Sequence, residues 1–365
     1  MKSLRALIVA TFAVLTAGVL GGGVAWSQAT EEPVLVIGVT GGVYEDVQRA
    51  VFFEPFTKAT GIKIVTAPNP SIAKVKAMVD AKNTDIDLAE LTATDLLILS
   101  RRGLLEELDY NVIPKSTMES ISPKQAIHKN GLGMFVWATG IAYNTKKYSQ
   151  ANHPKTWAEL WDVKKFPGAR TLPTPSWLIS AFEMALMADG VPQDKLYPLD
   201  IDRAFKSLEK IRPNVVKWYG GAAEAAQLIV DGHADLAGTS IGRMLATKER
   251  GGAIDVEYNQ GLAKINYWSI PKGAKHPKNA MKFIAFFHEP ERLGQYANSY
   301  PSLGPINTKA FPYVQAHRLP TLATSPENWP KLAWVNEEWW STEDSSGKTN
   351  FEKVFERWNV WILGK

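Results

Sequence analysis

Ala234-Asp235-Leu236-Ala237-Gly238-Thr239-Ser240-Ile241-Gly242-Arg243 runs from a buried-strand pattern through a turn of small residues into the first turn of a helix reaching about residue 248. A buried strand that feeds a helix directly is half of a βαβ unit, so this stretch predicts an α/β architecture. It admits two functions. Gly238-Thr239-Ser240-Ile241-Gly242 matches G-x-S-x-G, the pattern that holds a nucleophilic serine on a strained strand-to-helix turn. Without a nucleophile the same geometry is a ligand cup, because the start of a helix offers unpaired N–H groups and a partial positive charge.

The pattern recurs along the chain. Residues 34–39 are an unbroken apolar strand, Thr40-Gly41-Gly42 a turn, and 44–60 a helix with Val47, Val51, Phe52 and Phe56 at helical spacing, stopped by Gly61. Strands at 62–67 and 86–91 alternate with helices at 72–81 and 96–102, the last expected to be capped by Thr94. Beyond an apolar run at 136–144, strands at 169–172 and 215–219 alternate with helices at 177–188 and 222–231. Strand, crossover helix, strand predicts largely parallel sheets with helices on both faces. Tyr300-Pro301-Ser302-Leu303-Gly304-Pro305-Ile306-Asn307 is too rich in Pro and Gly for either element and reads as a crossing between lobes. The expected organisation is lobe 1 at 32–139 and 269–303, and lobe 2 at 140–268 and 304–365. The tail, 350–363, carries Phe351, Val354, Phe355, Trp358 and Trp361 at helical spacing and reads as a docked helix.

Five strands end in Thr, Ser or Gly before a helix begins, at 40–43, 92–94, 174–176, 220–221 and 238–242. In open parallel sheets ligands bind outside the carboxyl ends of the strands, so two facing lobes would line one cleft with these turns.

Composition narrows the function. The chain has 365 residues, 45% hydrophobic and 21% charged, enough for two cores. Its 41 basic and 37 acidic residues leave a net charge of +4 with no long single-sign run, so nucleic acid is not an expected partner. Cysteine is absent, which removes disulfides, thiol catalysis and cysteine-ligated zinc. Six dispersed histidines form no HExxH or helical ligand pair, no Walker loop or G-x-G-x-x-G is present, and no metal or cofactor is expected. No isolated carboxylate pair supports glycoside chemistry. Only G-x-S-x-G argues for an enzyme, a secreted serine hydrolase with Ser240 as nucleophile and His276, His288 or His317 following in the required order.

The N-terminus points to export. Lys2 and Arg5 precede an uncharged apolar run from Ala6 to Leu20, and Ser27-Gln28-Ala29 supplies the small residues of a cleavage site, making 1–29 a signal peptide. An uncleaved anchor is the alternative, since residues 6–26 carry no charge.

Gly140-Ile141-Ala142-Tyr143-Asn144, Pro154-Lys155-Thr156-Trp157-Ala158-Glu159-Leu160-Trp161 and Asp231-Gly232-His233-Ala234-Asp235-Leu236-Ala237 together resemble periplasmic solute-binding proteins of the spermidine/putrescine-type branch of ABC importers. Phe56-Thr57-Lys58-Ala59-Thr60-Gly61-Ile62, Gly103-Leu104-Leu105 and the tail from Trp339-Trp340 to Arg357-Trp358 agree in order. The resemblance implies two α/β lobes that close on a small solute, a periplasmic monomer, and an inner-membrane ABC permease as partner. For the site it implies Tyr44 in the first turn, the hydroxyls of Thr92 and Thr94 in the second, Trp177 and Ser180 at the next helix start, Lys264 and Asn266 on a later strand, and Tyr300 before the crossing. The strand-end turns themselves add Thr40, Gly41, Ser176, Tyr219, Thr239, Ser240 and Arg243 as expected lining residues. The polyamine binders present acids at the helix start where this chain has Trp177 and Ser180, and Trp-x-Asp where it has Lys264-x-Asn266. Losing both acids and gaining Lys264 beside Arg243 favours a small anionic or zwitterionic cargo of the amino-acid, opine or aminoalkyl-acid kind. Polyamine binding stays open, because Glu90, Asp95 or Glu224 could supply the missing acid. N-terminal sequencing of the exported protein is expected to read Thr30-Glu31-Glu32; a start at Met1 would identify an anchor instead.

Overall fold

The structure, a computed structural model, describes residues 31–176 and 180–364; the expected signal peptide lies outside them. Its strands are β1 (Val34–Val39), β2 (Lys63–Pro68), β3 (Leu88–Thr92), β4 (Ile127–His128), β5 (Gly131–Asn144), β6 (Arg170–Pro173), β7 (Val215–Tyr219), β8 (Leu236–Ser240), β9 (Ile254–Ser269), β10 (Gly304–Pro305) and β11 (Leu332–Trp334). They form a sheet in the order β2-β1-β3-β9-β5-β8-β6-β7, with β4 and β10 on β5 and β11 on β9. β2, β1 and β3 are parallel, and so are β8, β6 and β7. These are the two α/β halves that the strand–helix alternation implies. Between them β5 and β9 run antiparallel for 14 and 16 residues. Residues 132–139 of β5 pair with 262–268, and 141–144 pair with 254–257. Both strands therefore belong to both halves.

Two hydrophobic cores grip the ends of this ribbon. The first gathers Leu35, Phe52, Phe56, Trp268, Phe283 and Phe287, with Phe52 stacked on Phe287 at 4.2 Å between ring centroids. The second gathers Tyr143, Trp157, Phe182, Phe205, Trp340 and Trp358. The first long helix begins at Val43–Gln48 and ends at Glu54–Thr60, with a π-helical turn, Arg49–Phe53, between them. The wider turn brings Val51, Phe52 and Phe53 into the core together. Gly61 ends the helix at φ 75°, a left-handed value that a side chain would resist. The C-terminal helix, Asn350–Trp361, starts at a capping box between Thr349 and Glu352. Its aromatic stripe is packing: Trp358 meets Trp218 at 5.0 Å and Phe182 at 6.4 Å. Among the described residues no helix is long and apolar enough to cross a membrane.

The crossings differ from expectation. The return expected at 268/269 falls inside β9 instead, around residues 258–261, where Gln260 takes φ 57°. A methyl group on Gly261 would stand 2.5 Å from the Leu332 side chain and 2.7 Å from the Tyr258 carbonyl oxygen. Asn259-Gln260-Gly261 is a polar break at this point, but the strand read from the sequence begins only at Lys264 and does not reach it. Segment 300–307 stays with the first core: Gly304 and Pro305 pair with Val136 and Phe135, and Ile306 and Ala310 are buried there. The chain passes to the second core at β11, which lies parallel to residues 261–263 of β9, before Val335 and Trp340.

Gly140 sits at the irregularity in β5, where a Cβ would meet the Glu257 carbonyl oxygen at 2.5 Å and Ile241 Cδ1 at 2.7 Å. Gly140→Ala is therefore expected to destabilise the fold by about 1–3 kcal/mol through overpacking. Thermal unfolding followed by circular dichroism checks this, and an unchanged midpoint would contradict it.

Candidate functional site

Crossing strands turn the carboxyl ends of the two parallel sets toward each other across a cleft of about 210 Å3. Thr40, Asn69, Glu90 and Thr92 line it from the ends of β1, β2 and β3. Ala222, Ser240, Gly242 and Arg243 line it from the facing half. Trp137 of β5, Asn266 of β9 and the loop residues Tyr300 and Ser302 form part of the remaining wall, with Tyr44 beside them. Among the described lining residues there is one carboxylate, Glu90, and one cation, Arg243.

Glu90 is 3% exposed in the middle of β3. Its Oε1 accepts hydrogen bonds from Tyr44 Oη at 2.8 Å and Asn266 Nδ2 at 2.7 Å. Asn266 is itself oriented by Trp137 Nε1, which donates to its Oδ1 at 2.9 Å. The other carboxylate oxygen, Glu90 Oε2, has no partner, nor do the buried Gln48 amide and Tyr296 hydroxyl. Burial raises the Glu90 pKa, while the Asn266 and Tyr44 donors pull it down. Burial and the Glu90 charge push the Tyr44 phenol up in turn.

On the facing wall the helix Ile241–Glu249 begins at Ser240, whose side chain makes no capping hydrogen bond, and its first turn carries no acidic residue. Elsewhere in the chain Ser71, Thr92, Thr156 and Thr349 all close the helices they precede with a side-chain oxygen. Arg243 adds a full positive charge to this open helix start. Among the described residues its guanidinium pairs with no carboxylate, and its carbonyl oxygen accepts from Thr247 Oγ1 at 2.9 Å. The Tyr300 phenol is pushed up by burial, with the Arg243 charge pulling the other way.

Of the residues expected from the sequence, this cleft brings together Thr40, Tyr44, Thr92, Ser240, Arg243, Asn266 and Tyr300. Gly41 is exposed beside the wall and does not line it. The helix cap is Thr92, accepting from Asp95 N at 3.2 Å, not Thr94. Thr94 is the second residue of the helix, buried, and donates to Glu337. Ser176 bonds Thr174 at 3.0 Å away from the cleft, and Trp177 lies outside the described residues. Ser180 and Thr239 are buried off the wall, and Tyr219 is buried with its hydroxyl donated to the Gly238 carbonyl at 2.8 Å.

Lys264 is the largest departure. It is 7% exposed, its ammonium 3.7 Å from Glu337 and 5.9 Å above the Trp137 ring centroid. It lines a second cavity, about 610 Å3, with His128, Tyr197, Glu337 and Glu338. That cavity is the larger and includes Ala93 after β3 and Trp334 at the end of β11, but Glu337 already balances its lysine. Asn69, Phe135, Trp137 and Ser302 were not anticipated, and Glu90 only as one of three candidate acids. A carboxylate inside the apolar run Leu88-Ala89-Glu90-Leu91 was the available signal. The other two acids are engaged: Glu224 accepts from Gly220 N and lies 3.5 Å from Lys217, and Asp95 accepts from Thr92 Oγ1.

A family model described as bacterial extracellular solute-binding protein matches residues 52–324. A gamma-aminobutyric acid-binding protein of Pseudomonas aeruginosa is 29% identical over 348 residues, 92% of this chain and 92% of that one. Among solved structures, an ABC transporter from Rhodopseudomonas palustris CGA009 is similar at a TM-score of 0.81 and 36% identity, over 90% of this chain and 99% of its own. The PBP AgtB of A. tumefaciens R10, in complex with agropinic acid, is similar at 0.78 and 31%, over 90% and 98%.

Because the fold disfavours the ionised form of Glu90, the penalty is present above the unfolded carboxylate value of about 4.3 and vanishes below it. Glu90→Gln is therefore expected to raise the melting temperature of the unliganded chain near neutral pH, by about 1–4 °C. The gap should close on acidification, and scanning calorimetry at several pH values checks both signs.

Proposed function

The chain belongs to the bacterial extracellular solute-binding protein family, and we propose that it captures a small organic anion or zwitterion of the amino-acid, opine or aminoalkyl-acid kind. It is the solute-binding subunit of an ABC importer. The carrying observation is the wall around Ser240: an uncapped helix start with Arg243 in its first turn. A cation there is unfavourable to the helix dipole, so the empty protein holds two positive features side by side. A carboxylate bound between them satisfies both, since the helix N–H groups and the guanidinium fork both donate to oxygen. The relatives named for gamma-aminobutyric acid and agropinic acid handle compounds of this chemistry, which supports the same class here.

A polyamine cargo is favoured by Glu90 and by the rings of Tyr44, Phe135, Trp137 and Tyr300 along the cleft. Yet one carboxylate serves one ammonium, and a second ammonium would lie toward Arg243. Ser240 acts as a hydrogen-bonding wall residue with no catalytic duty. Two of its candidate partners are engaged elsewhere, His276 with Asp87 at 2.9 Å and His288 between the carbonyls of Ile284 and Gly133 at 2.6 and 2.7 Å. The mature protein works as an exported periplasmic monomer that closes on its cargo and docks on a membrane permease.

Calorimetric titration of the purified mature chain with 4-aminobutyrate, glutamate, agropinic acid, putrescine and spermidine tests the cargo class. A carboxylate-bearing compound is expected to bind and the polyamines not; binding of polyamines alone would overturn it. Arg243→Ala is expected to weaken that binding by about 10–100-fold, the loss of a charged hydrogen-bonded contact.

A further inference from the structure

Glu90 is a buried carboxylate with no positive charge of the described residues beside it. The groups packed around it are Tyr44, Gln48, Asn266 and Tyr296, all uncharged in the neutral range, and no Lys, Arg or His of the described residues forms an ion pair with it. Burying a charge in this way is costly unless a counter-charge and hydrogen bonds arrive to balance it. Half of the arrangement is in place. Tyr44 and Asn266 tie down Oε1 and fix the plane of the carboxylate in a side chain that lines the cleft, while Oε2 is itself buried beside Gln48. Tyr44 stands edge-on to Tyr300 at 6.0 Å and to Phe135 at 6.1 Å, so aromatic rings surround the same corner. A carboxylate framed by aromatic rings suits an ammonium group, which brings three donors and is attracted by ring faces.

We propose that Glu90 is the receptor for an ammonium group on the cargo, so that the cleft selects amino-bearing acids over plain organic anions. This rests on the anion or zwitterion reading only in taking Arg243 as the pole for the cargo carboxylate. A plain carboxylate would gain the Arg243 wall but leave Glu90 unbalanced and add a second negative charge to the cleft. An amino acid supplies both missing counter-charges at once. Glutamine in place of Glu90 would keep the acceptor for Tyr44 and remove the charge, which makes it the informative variant.

The test is calorimetric titration of matched pairs, 4-aminobutyrate against butyrate and glutamate against glutarate, into wild type, Glu90→Gln and Glu90→Asp, with unliganded melting temperatures as the check on folding. Wild type is expected to prefer an amino compound over its desamino partner by at least about tenfold, roughly 1.4 kcal/mol. Glu90→Gln should bring the pair to within a few-fold, and Glu90→Asp, which keeps the charge, should retain the preference. A preference unchanged in Glu90→Gln, or a wild type that binds both members equally, overturns the proposal. If wild type takes putrescine and no acid, the anion reading falls, and loss of putrescine in Glu90→Gln still supports Glu90 as the ammonium receptor while retention overturns it. If no compound binds, native mass spectrometry of the protein with its co-purified cargo decides: a cargo without an amine overturns the proposal, and an amine held by wild type and lost by Glu90→Gln supports it.

Discussion

Strands β5 and β9 pair from Leu132 beside Trp268 to Asn144 beside Ile254, and both cores are built onto that ribbon. Its length follows from burial on both faces. Met134, Phe135, Val136 and Ala138 are all buried, as are Leu262, Ala263 and Ile265, so the strands are enclosed along the first half, while β9 is partly exposed only over 255–257, 259–260 and at Asn266. The change of direction between the halves is confined to the irregularity at Thr139/Ile141 and to residues 258–261 opposite. Behind the ribbon, Arg101 pairs with Glu338, and Arg102 with Glu343 and Glu352, linking the helix Ala93–Arg101 to the C-terminal segment. Such half-exposed pairs contribute about 0–1 kcal/mol each, so the ribbon's backbone, not these pairs, holds the halves together.

The cleft gathers polar groups without complementary partners on its two walls. Ser240 begins a nine-residue helix without capping it, and among the described residues Arg243 pairs with no acid and Glu90 with no cation. Together, on facing walls, they describe a guest that carries the complementary groups, consistent with the general tendency of functional sites to break local rules. The second cavity shows the contrast. There Lys264 is matched by Glu337, and the charge balance is internal.

Most of the architecture was legible from periodicity. The strand at 34–39, the helix near 72–81 and the C-terminal aromatic helix appear within a residue or two of where their spacing puts them. The cap on the helix Ala93–Arg101 lies two residues earlier than expected, because Thr92 and Thr94 are both good caps and only the end of β3 decides between them. Crossings were harder. Proline and glycine marked 300–307 as neither helix nor strand, but Gly304–Pro305 form the short strand β10, which ties the segment back to β5 rather than carrying it to the other lobe.

The sequence by itself determined what depends on neighbours in the chain: strand and helix spacing, glycine stops, the absence of cysteine chemistry, and the small polar turns that gather at strand ends. Only the tertiary structure decided which charges share a space. Glu90 meets Tyr44 and Asn266, and Lys264 meets Glu337, across long separations in the chain that no local pattern records. A charge's role is set by what is buried beside it, because desolvation and pairing act through space. The same lysine that in sequence suggests an anion-binding cleft is, once folded, the neutralised partner of a glutamate in another cavity.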